Sequence, residues 1–289
     1  MRSLNNSIKI LIINLKRSAD RREAISKNLD ALNLQYEFVD AIDGIDLSKD
    51  FIEKVNNQPG SFKTSYGRDM TLGETGASLS HLKTYQLIVE KKYSFSLVLE
   101  DDAGFDERLK IFLEKISENT SLQKNFDLVL LGYCRNDLDY HKQAVCSFWG
   151  NIKIDQNFKV GIPVFWYWSA IGYLITGEGA QKLLTHGKLP RMPADFLTAN
   201  SPKYNLRLGI IGEPIIWPGE LDKHSTIGER SLPVSGDIGF NERSQRSRTE
   251  LIKKKIKKNA GIFFTLREKF KLFRLRISRR KYLFVADKY

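Results

Sequence analysis

Cysteine is scarce in this chain, since Cys134 and Cys146 are the two cysteines among its 289 residues. Two thiols are too few for the disulfide framework that holds small secreted domains together. The first residues also lack the basic, apolar and small-residue regions of a secretory signal. We therefore expect a protein of the reducing cytosol.

Long uncharged runs are also rare. The longest, 160–176, has about the minimum length for a membrane span, roughly 17 residues, but Gly161, Pro163 and Gly172 interrupt it. Its β-branched and aromatic residues favour a pair of buried strands. With 42% hydrophobic and 28% charged residues, the chain has the composition of a globular protein with a substantial core.

Acidic residues are nearly missing from the end of the chain. Residues 251–289 contain 14 Lys and Arg but only Glu268 and Asp287, whereas the preceding 250 residues contain 32 residues of each charge. The whole formal net charge of +12 therefore belongs to this tail. We predict a folded domain over 1–250 and a separate basic tail over 251–289.

Several motifs with well-defined chemistry are missing as well. The chain has no G-x-x-x-x-G-K-[ST] phosphate loop, no G-x-G-x-x-G, no G-x-S-x-G and no paired-cysteine zinc pattern. These absences argue against a phosphate-loop NTPase, a dinucleotide-dependent dehydrogenase and a serine hydrolase.

The pattern of apolar residues predicts an α/β fold. Residues 8–15 form a short apolar run rich in isoleucine, which is typical of a strand buried on both faces. The elements predicted after it are a helix over 18–32, a strand over 36–41, a loop over 56–68, a helix over 71–90, a strand over 95–99, a helix over 107–116 and a strand over 126–131. A helix after Gly177 and strands near 208–211 and 214–217 follow. Such alternation indicates an α/β sandwich around a largely parallel sheet.

Three consecutive acids, Glu100, Asp101 and Asp102, follow the predicted strand 95–99. Ligands of open α/β sheets bind beyond the carboxyl ends of the strands, so these carboxylates lie where a site is expected. A hard cation such as Mg²⁺ or Mn²⁺ carrying a diphosphate would relieve their mutual repulsion. Because side chains alternate along a strand, Glu100 and Asp102 are expected to share a pocket while Asp101 faces away. An acidic helix N-cap is the alternative.

A second candidate segment begins at Thr71, which matches a capping box with Glu74. One side of the predicted helix stays small through Gly73, Gly76, Ala77, Ser78 and Ser80. A small side admits either a ligand or the backbone of another element. His81 is then a candidate ligand, a candidate acid–base group or a buried, hydrogen-bonded histidine.

Polar and basic residues also follow the first strand, namely Asn14, Arg17, Arg21 and Arg22. Arginine forks suit the oxygens of a diphosphate or a phosphosugar. The alternative is a solvated helix face with Asp20 and Glu23 as neighbours, and this is the favoured interpretation for Arg21.

Two residues in the second half are further candidates. Asp195 lies between proline-stiffened turns, where a fixed carboxylate can act as a general base or cap a helix. His224 offers an imidazole to a metal, although a single loop histidine is weak support for a ligand.

Together these segments resemble glycosyltransferase family 25, the bacterial lipooligosaccharide galactosyltransferase-type family. The resemblance rests on the first strand with Asn14 and Arg22, on F-V-D-A-I-D-G at 38–44, on L-G-E-T-G-A-S-L-S-H-L at 72–82 and on L-V-L-E-D-D at 97–102. It extends through G-Y-L-I at 172–175 and P-A-D at 193–195.

The resemblance implies an inverting transferase with a GT-A-like fold and a UDP-hexose donor, most often UDP-galactose. Asp102 is the first candidate for a Mn²⁺ or Mg²⁺ ligand, with Glu100 and His224 as further ligands. Asp195 is nominated as the base that deprotonates the acceptor hydroxyl, and Glu213 is held in reserve. The expected donor-binding residues are Asn14, Arg17, Arg22, Glu74, Ser80, His81 and Asp101.

The composition of the tail predicts a location. Residues 251–289 interleave basic residues with Ile, Leu and Phe, as expected for basic amphipathic helices on anionic lipid. Together with the resemblance, this predicts a cytoplasmic enzyme, peripheral on the inner face of the cytoplasmic membrane, that acts on a lipid-linked lipooligosaccharide. Nucleic acid is the competing partner for such a tail, but the balanced charge of residues 1–250 argues against it.

Two other functions remain open. One is a binding module that docks on a membrane or on nucleic acid and has no transferase activity. The other is a phosphosugar nucleotidyltransferase, which would use the same acidic motif but require a nucleoside triphosphate. Tight, metal-dependent binding of UDP would distinguish a transferase from an idle binding module.

Overall fold

A computed structural model describes residues 8–118, 120–135, 139–185, 189–199 and 204–219. All of them belong to the first of the chain's two units, Met1–Glu229. The tail 251–289 and the predicted domain boundary near residue 250 lie outside the described residues.

An eight-stranded sheet forms the centre of the fold, with the strand order β2-β1-β3-β8-β5-β9-β7-β6. Strands β4 and β10 form a separate antiparallel pair. The strands are β1 (Lys9–Asn14), β2 (Glu37–Asp40), β3 (Phe95–Glu100), β4 (Ala103–Phe105), β5 (Leu128–Leu130), β6 (Ile152–Lys153), β7 (Lys159–Gly161), β8 (Gly172–Thr176), β9 (Leu208–Ile211) and β10 (Ile216–Pro218).

Most strands of the large sheet run in the same direction. β1 pairs in parallel with both β2 and β3, and β5 pairs in parallel with β9. β8 is antiparallel to its neighbours β3 and β5, and β7 is antiparallel to β9 and β6. Only β7 and β8 therefore oppose the other six strands, which confirms the predicted α/β architecture with a largely parallel sheet.

The helices are α1 (Ala19–Ala31), α2 (Lys49–Asn57), α3 (Phe62–Tyr66), α4 (Leu72–Glu90), α5 (Glu107–Ser117), α6 (Ser121–Asn125), α7 (Gly177–Leu184) and α8 (Ala194–Ala199). The helices and strands predicted before residue 132 occur close to their predicted bounds. The core lies around the central strands, where Leu11, Ile12, Leu97 and Leu174 are fully buried. Among the described residues, no helix has the length and hydrophobicity required to cross a bilayer.

Two predictions of local structure are wrong. Residues 56–68 do not form a loop, because α2 extends to Asn57 and the short helix α3 follows, capped by the Ser61 side chain and ended by Gly67 at a φ of 78°. Five residues are too few to produce a visible helical periodicity. The strands within 160–176 also do not pair with each other, since β7 lies between β9 and β6, and β8 lies between β3 and β5.

Candidate active site

A cleft opens where strands β1 and β3 end. The two strands are parallel neighbours with Ile13 opposite Glu100, so their carboxyl ends meet at one edge of the sheet. The cleft is lined by Ile13, Leu15, Arg17, Arg21, Ala41, Ile42, Asp43, Gly44, Gly73, Ala77, Ser80, His81, Glu100, Asp101 and Asp102. The structure thus brings the acidic motif together with the segment after β1 and the start of α4.

Arg21 joins helix α1 to the acidic motif. Its Nη1 lies 3.0 Å from Asp101 Oδ1 and 3.1 Å from Asp102 Oδ2. The three side chains are 8%, 10% and 13% exposed, so water screens these ion pairs far less than it would at the surface. One guanidinium group therefore offsets part of the repulsion between two adjacent carboxylates.

This arrangement corrects two predictions. Arg21 is not on a solvated face, because it shares the buried side of α1 with Ile25 and Leu29 at a spacing of four residues. Asp101 does not face away from Asp102, because β3 ends at Glu100 and the alternation of strand side chains ends with it. In the turn that follows, both carboxylates reach Arg21.

Asn14 is the last residue of β1 and is 1% exposed. Its Nδ2 donates to the Ser18 carbonyl oxygen at 3.1 Å and to Asp101 Oδ2 at 2.8 Å. Its Oδ1 is buried and, within the described part of the chain, accepts no hydrogen bond. Asn14 therefore helps to hold Asp101 and leaves one amide oxygen for a further partner.

Glu100 contacts a buried histidine. His81 Nε2 lies 3.2 Å from Glu100 Oε1, and His81 Nδ1 lies 2.7 Å from the Tyr173 hydroxyl, which in turn lies 2.8 Å from the Tyr85 hydroxyl. Burial lowers the pKa of His81 to about 4, against an opposing effect of the negative charge of Asp195. His81 is therefore a neutral, hydrogen-bonded histidine at neutral pH.

The rim of the cleft carries a second arginine–aspartate pair. Arg17 Nε donates to Asp43 Oδ2, and this hydrogen bond lowers the pKa of the Asp43 carboxyl. Asp43 Oδ1 also accepts from the Ile45 backbone N–H and so caps the 3₁₀ turn Gly44–Asp46. The Arg17 side chain is half exposed, which leaves it accessible from solvent.

The capping box predicted at the start of α4 is confirmed. Thr71 Oγ1 accepts from the Glu74 backbone N–H, and Glu74 Oε2 accepts from the Thr71 backbone N–H. Arg68 adds two bonds to the same carboxylate, at 2.8 and 2.7 Å. Glu74, a predicted donor-binding residue, is thus held at the helix start and is not part of the cleft lining.

The side of α4 that carries small residues packs against the backbone of another segment. A Cβ on Gly76 would lie 2.7 Å from the Gly44 nitrogen and 2.7 Å from the Ile42 oxygen, which is closer than real Cβ atoms approach. Ser80 Oγ accepts from the Ile42 N–H and donates to the Gly76 carbonyl. The helix therefore packs against the loop that follows β2, and both Ser80 and His81 line the cleft beside this contact.

Three further predicted site residues of the described ranges lie apart from the cleft lining. The Arg22 guanidinium is stacked 3.7 Å from the centre of the Phe38 ring. Asp195, in the first turn of α8, accepts a 2.8 Å hydrogen bond from the Ala170 N–H. Its negative charge raises the pKa of His81. Glu213 is 58% exposed and forms an ion pair with Arg108. His224 lies outside the described residues.

The donor set of the cleft is made of oxygen atoms. The carboxylates of Glu100, Asp101 and Asp102 line the cleft, and the amide of Asn14 lies beside Asp101. Carboxylate and amide oxygens are the ligand types that Mg²⁺ and Mn²⁺ prefer. Within the described ranges, no group of three or more His, Cys, Asp or Glu side chains is arranged to hold a metal ion on its own. These oxygen atoms suit a hard cation that takes its remaining ligands from groups other than these side chains.

The chain belongs to glycosyltransferase family 25, because residues 7–198 match the family model described as "Glycosyltransferase family 25 (LPS biosynthesis protein)". The resemblance inferred from the sequence motifs is thereby confirmed. The acidic motif, α4 and β8 all fall within the matched region.

Similar proteins include some that are named as galactosyltransferases and one that is named as inactive. Procollagen galactosyltransferase 2 of Homo sapiens is 30% identical over 64% of this chain and 29% of that protein. Procollagen galactosyltransferase 1-B of Xenopus laevis is 32% identical over 64% and 30%. Inactive glycosyltransferase 25 family member 3 of Homo sapiens is 31% identical over 64% and 30%. The chain thus aligns with less than a third of the length of these relatives.

A solved structure of low similarity also matches. The crystal structure of a glycosyltransferase involved in the glycosylation of the major capsid of PBCV-1 is 9% identical, over 82% of this chain and 99% of that chain, with a TM-score of 0.27. A score this low supports no argument about the fold.

Sequence reasoning considered Arg21 but favoured a solvated position for it, and it missed Tyr85 and Tyr173 as site residues. A signal for Arg21 was present, since it precedes Ile25 and Leu29 at helical spacing. No comparable signal marks Tyr173, which is 92 residues from His81 and meets it only through the pairing of β8 with β3.

Proposed function

We propose that this protein is an inverting glycosyltransferase that transfers a hexosyl group, with galactose favoured, from a UDP-sugar to a lipooligosaccharide or lipopolysaccharide acceptor. The observation that carries the proposal is the cleft at the ends of β1 and β3, which gathers Glu100, Asp101 and Asp102. Family membership supports glycosyl transfer, and the galactosyltransferases among the relatives support galactose.

The charge of the cleft supports a divalent cation in donor binding. Four carboxylates but only two guanidinium groups line it, so a diphosphate needs additional positive charge in order to bind there. Mg²⁺ is commonly held by one or two carboxylates together with the phosphates of the substrate. Glu100 and Asp102 are the proposed protein ligands, and Asn14 Oδ1 is an additional oxygen nearby. When bound, the ion would neutralise the diphosphate and stabilise UDP as the leaving group.

The proposed general base is Asp195, which would take the proton from the acceptor hydroxyl on the side of the sugar opposite UDP. Its hydrogen bond from the Ala170 N–H fixes the orientation of the carboxylate. Its negative charge raises the pKa of His81, which is one of the residues that line the cleft. Glu213 is the weaker candidate, because it is well exposed and paired with Arg108.

A lipid-linked acceptor is proposed from the tail. The family description refers to LPS biosynthesis, whereas the relatives are named for procollagen. The 14 basic residues of 251–289 and the apolar residues between them favour a partner on an anionic membrane. Each Lys or Arg near such a surface contributes about 1 kcal/mol. We therefore place the enzyme at the inner face of the cytoplasmic membrane, with no nucleic-acid partner.

A binding module without transferase activity is the second candidate function. The observation that favours it is the similarity to a relative named as inactive, which aligns with the same share of the chain as the galactosyltransferases do. A nucleotidyltransferase is the third candidate, and it would bind a nucleoside triphosphate at the same carboxylates.

Thermal unfolding of the full chain tests the proposal, since a ligand that binds the native state raises its stability. The ligands are UDP, UDP-galactose, UDP-glucose, UDP-N-acetylglucosamine and UTP, each with Mn²⁺ or with EDTA. We expect stabilisation that requires Mn²⁺ and is largest with one UDP-sugar. Stabilisation by UTP alone would favour a nucleotidyltransferase. Absence of any shift would refute nucleotide-sugar binding.

A turnover assay separates the two remaining candidates. The protein is incubated with the best-binding UDP-sugar and lipooligosaccharide, and the release of UDP and the glycosylated product are measured. Product formation supports the transferase, whereas donor binding without product indicates the binding module.

A further inference from the structure

A chain of buried hydrogen bonds connects the core to the acidic motif. It runs from the Tyr85 hydroxyl to the Tyr173 hydroxyl at 2.8 Å, then to His81 Nδ1 at 2.7 Å, and from His81 Nε2 to Glu100 Oε1 at 3.2 Å. Tyr85 and Tyr173 have no exposed surface, and His81 is 1% exposed. Glu100 is the most exposed of the four residues, with 24% of its side chain accessible at the cleft.

The proton positions in this chain follow from the donor capacity of each group. An ionised carboxylate only accepts hydrogen bonds, so His81 Nε2 must carry a proton to bond with Glu100. A neutral imidazole carries one ring proton, so Nδ1 is then an acceptor. Tyr173 must therefore donate its single hydroxyl proton to Nδ1, and its oxygen accepts from Tyr85. Every group then donates in the same direction, toward Glu100.

The energetics of burial favour this single arrangement. A polar group buried without a partner costs about 1–3 kcal/mol. Reversal of the His81 tautomer would place the Nε2 lone pair against the Glu100 carboxylate, so the hydrogen bond between these two groups would be lost. The ring of His81 stacks on the ring of Tyr173, and this stacking opposes rotation of the imidazole. The two ring centroids are 5.8 Å apart, and the ring planes are inclined by 26°.

We infer that His81 is a positioning residue, held as the Nε2-protonated tautomer by Tyr173, and that it fixes the Glu100 carboxylate in the cleft for donor binding. The last part rests on the proposed function, since it assigns Glu100 to the cation and diphosphate of the donor. In this role His81 acts through Glu100. Its contribution is a hydrogen bond from a buried, fixed ring to the Glu100 carboxylate.

The first test observes the tautomer directly and needs no ligand. The full chain is labelled with ¹⁵N-histidine, and two-bond ¹⁵N–¹H spectra are recorded at neutral pH. The chain contains four histidines, and the resonances missing from His81→Gln assign the ring of His81. We expect a protonated Nε2 and an unprotonated Nδ1. A proton on Nδ1, on both nitrogens or averaged between them would overturn the inference.

The second test compares two amides at the same position. Gln places its side-chain nitrogen near the position of Nε2, whereas Asn is shorter and cannot reach Glu100. We expect His81→Asn to weaken Mn²⁺-dependent UDP binding by 10–100-fold, the usual effect of losing a partner of a metal ligand. His81→Gln should recover most of that loss. Equal affinity in both variants would overturn the inference, provided that each variant unfolds cooperatively above the assay temperature.

Tyr173→Phe and Tyr133→Phe form a matched control pair. Both tyrosines are buried, but the Tyr133 hydroxyl bonds to the Gly212 carbonyl, away from the cleft. We expect UDP affinity to fall in Tyr173→Phe and to stay unchanged in Tyr133→Phe; equal effects would contradict the role of Tyr173. If the wild-type chain binds no UDP with Mn²⁺, the proposed function fails, and the tautomer measured by NMR decides the inference about His81.

Discussion

The backbone of Gly44 lies directly against the carbonyl oxygen of Leu72, so that a Cβ on Gly44 would overlap that oxygen. Gly44 begins the 3₁₀ turn that follows β2, and Leu72 is the first residue of α4. The contact sets how closely the start of α4 approaches the loop after β2. Two walls of the cleft therefore meet in a backbone contact at this point.

Gly44→Ala should destabilise the protein, because the Leu72 carbonyl belongs to a helix and cannot move independently. Overpacking of this kind costs about 1–3 kcal/mol, and we expect the upper part of that range. Gly212→Ala is the control, since a Cβ there would lie 3.5 Å from its nearest neighbour, the Lys159 oxygen. Equal midpoints for the two variants in chemical denaturation would contradict the contact.

Arg21→Met should lower the free energy of unfolding by about 3–5 kcal/mol, because it leaves Asp101 and Asp102 buried without their shared guanidinium. Added Mn²⁺ should restore more stability to this variant than to the wild type. Arg22→Met is the control, because that arginine is exposed and contacts the Phe38 ring. A loss of the same size in both variants would show that the ion pairs do not stabilise the fold.

Asp127 provides a pH-dependent test. Its side chain has no exposed surface; burial opposes its ionisation, but hydrogen bonds from Arg207 and Lys182 prevail and lower its pKa. A lowered folded-state pKa contributes stability above the unfolded value, about 3.9, and that contribution disappears as the pH falls through the folded pKa. Asp127→Asn should therefore lose about 1.5–3 kcal/mol at pH 7.

The difference between wild type and Asp127→Asn should stay constant from pH 7 to about 5 and shrink below about 4. Urea denaturation at each pH measures it. A difference that grows as the pH falls would show that the pKa of Asp127 is raised rather than lowered.

Asp102→Ala should abolish glycosyl transfer and leave membrane binding unchanged, since the proposed cation ligand and the tail are separate parts of the chain. UDP release in the presence of acceptor measures the first property, and sedimentation with anionic vesicles measures the second. Asp46→Ala, on the exposed 3₁₀ turn, is a control for the loss of a carboxylate. Full activity of Asp102→Ala would refute the proposed metal ligand.

Removal of residues 251–289 should release the protein from anionic vesicles, because the segment contains the entire net positive charge of the chain. Transfer to a soluble acceptor should continue. Zwitterionic vesicles are the control, and the full chain should bind them weakly. Unchanged binding of the shortened chain to anionic vesicles would refute the role of the tail.

The sequence was sufficient to predict the elements that have strong local signals. β1 and β3 are continuous apolar runs, α4 begins with a capping box, and the carboxyl-end rule placed Asn14 and Glu100 at the same edge of the sheet. Each of these signals lies within a few consecutive residues, where propensity and spacing determine the outcome.

The remaining features depend on contacts between distant residues. The insertion of β8 between β3 and β5 brings Tyr173 to His81, and no local pattern specifies which strands become neighbours. Asp101 was predicted to face away because strand alternation was extended two residues beyond Glu100, where β3 ends. These errors concern pairing and termination, which tertiary packing decides.

The position of β8 in the sheet affects how the chain folds while it is synthesised on the ribosome. β3 and β5 are synthesised before β8, the strand that separates them in the sheet. β5 ends at Leu130 and β8 ends at Thr176, so the middle of the sheet stays open while the 46 residues 131–176 are synthesised. Open strand edges are templates for pairing with other chains. A nascent chain that stalls in this interval exposes the edges of β3 and β5 that β8 later covers. We expect chaperones to bind mainly to such intermediates during synthesis.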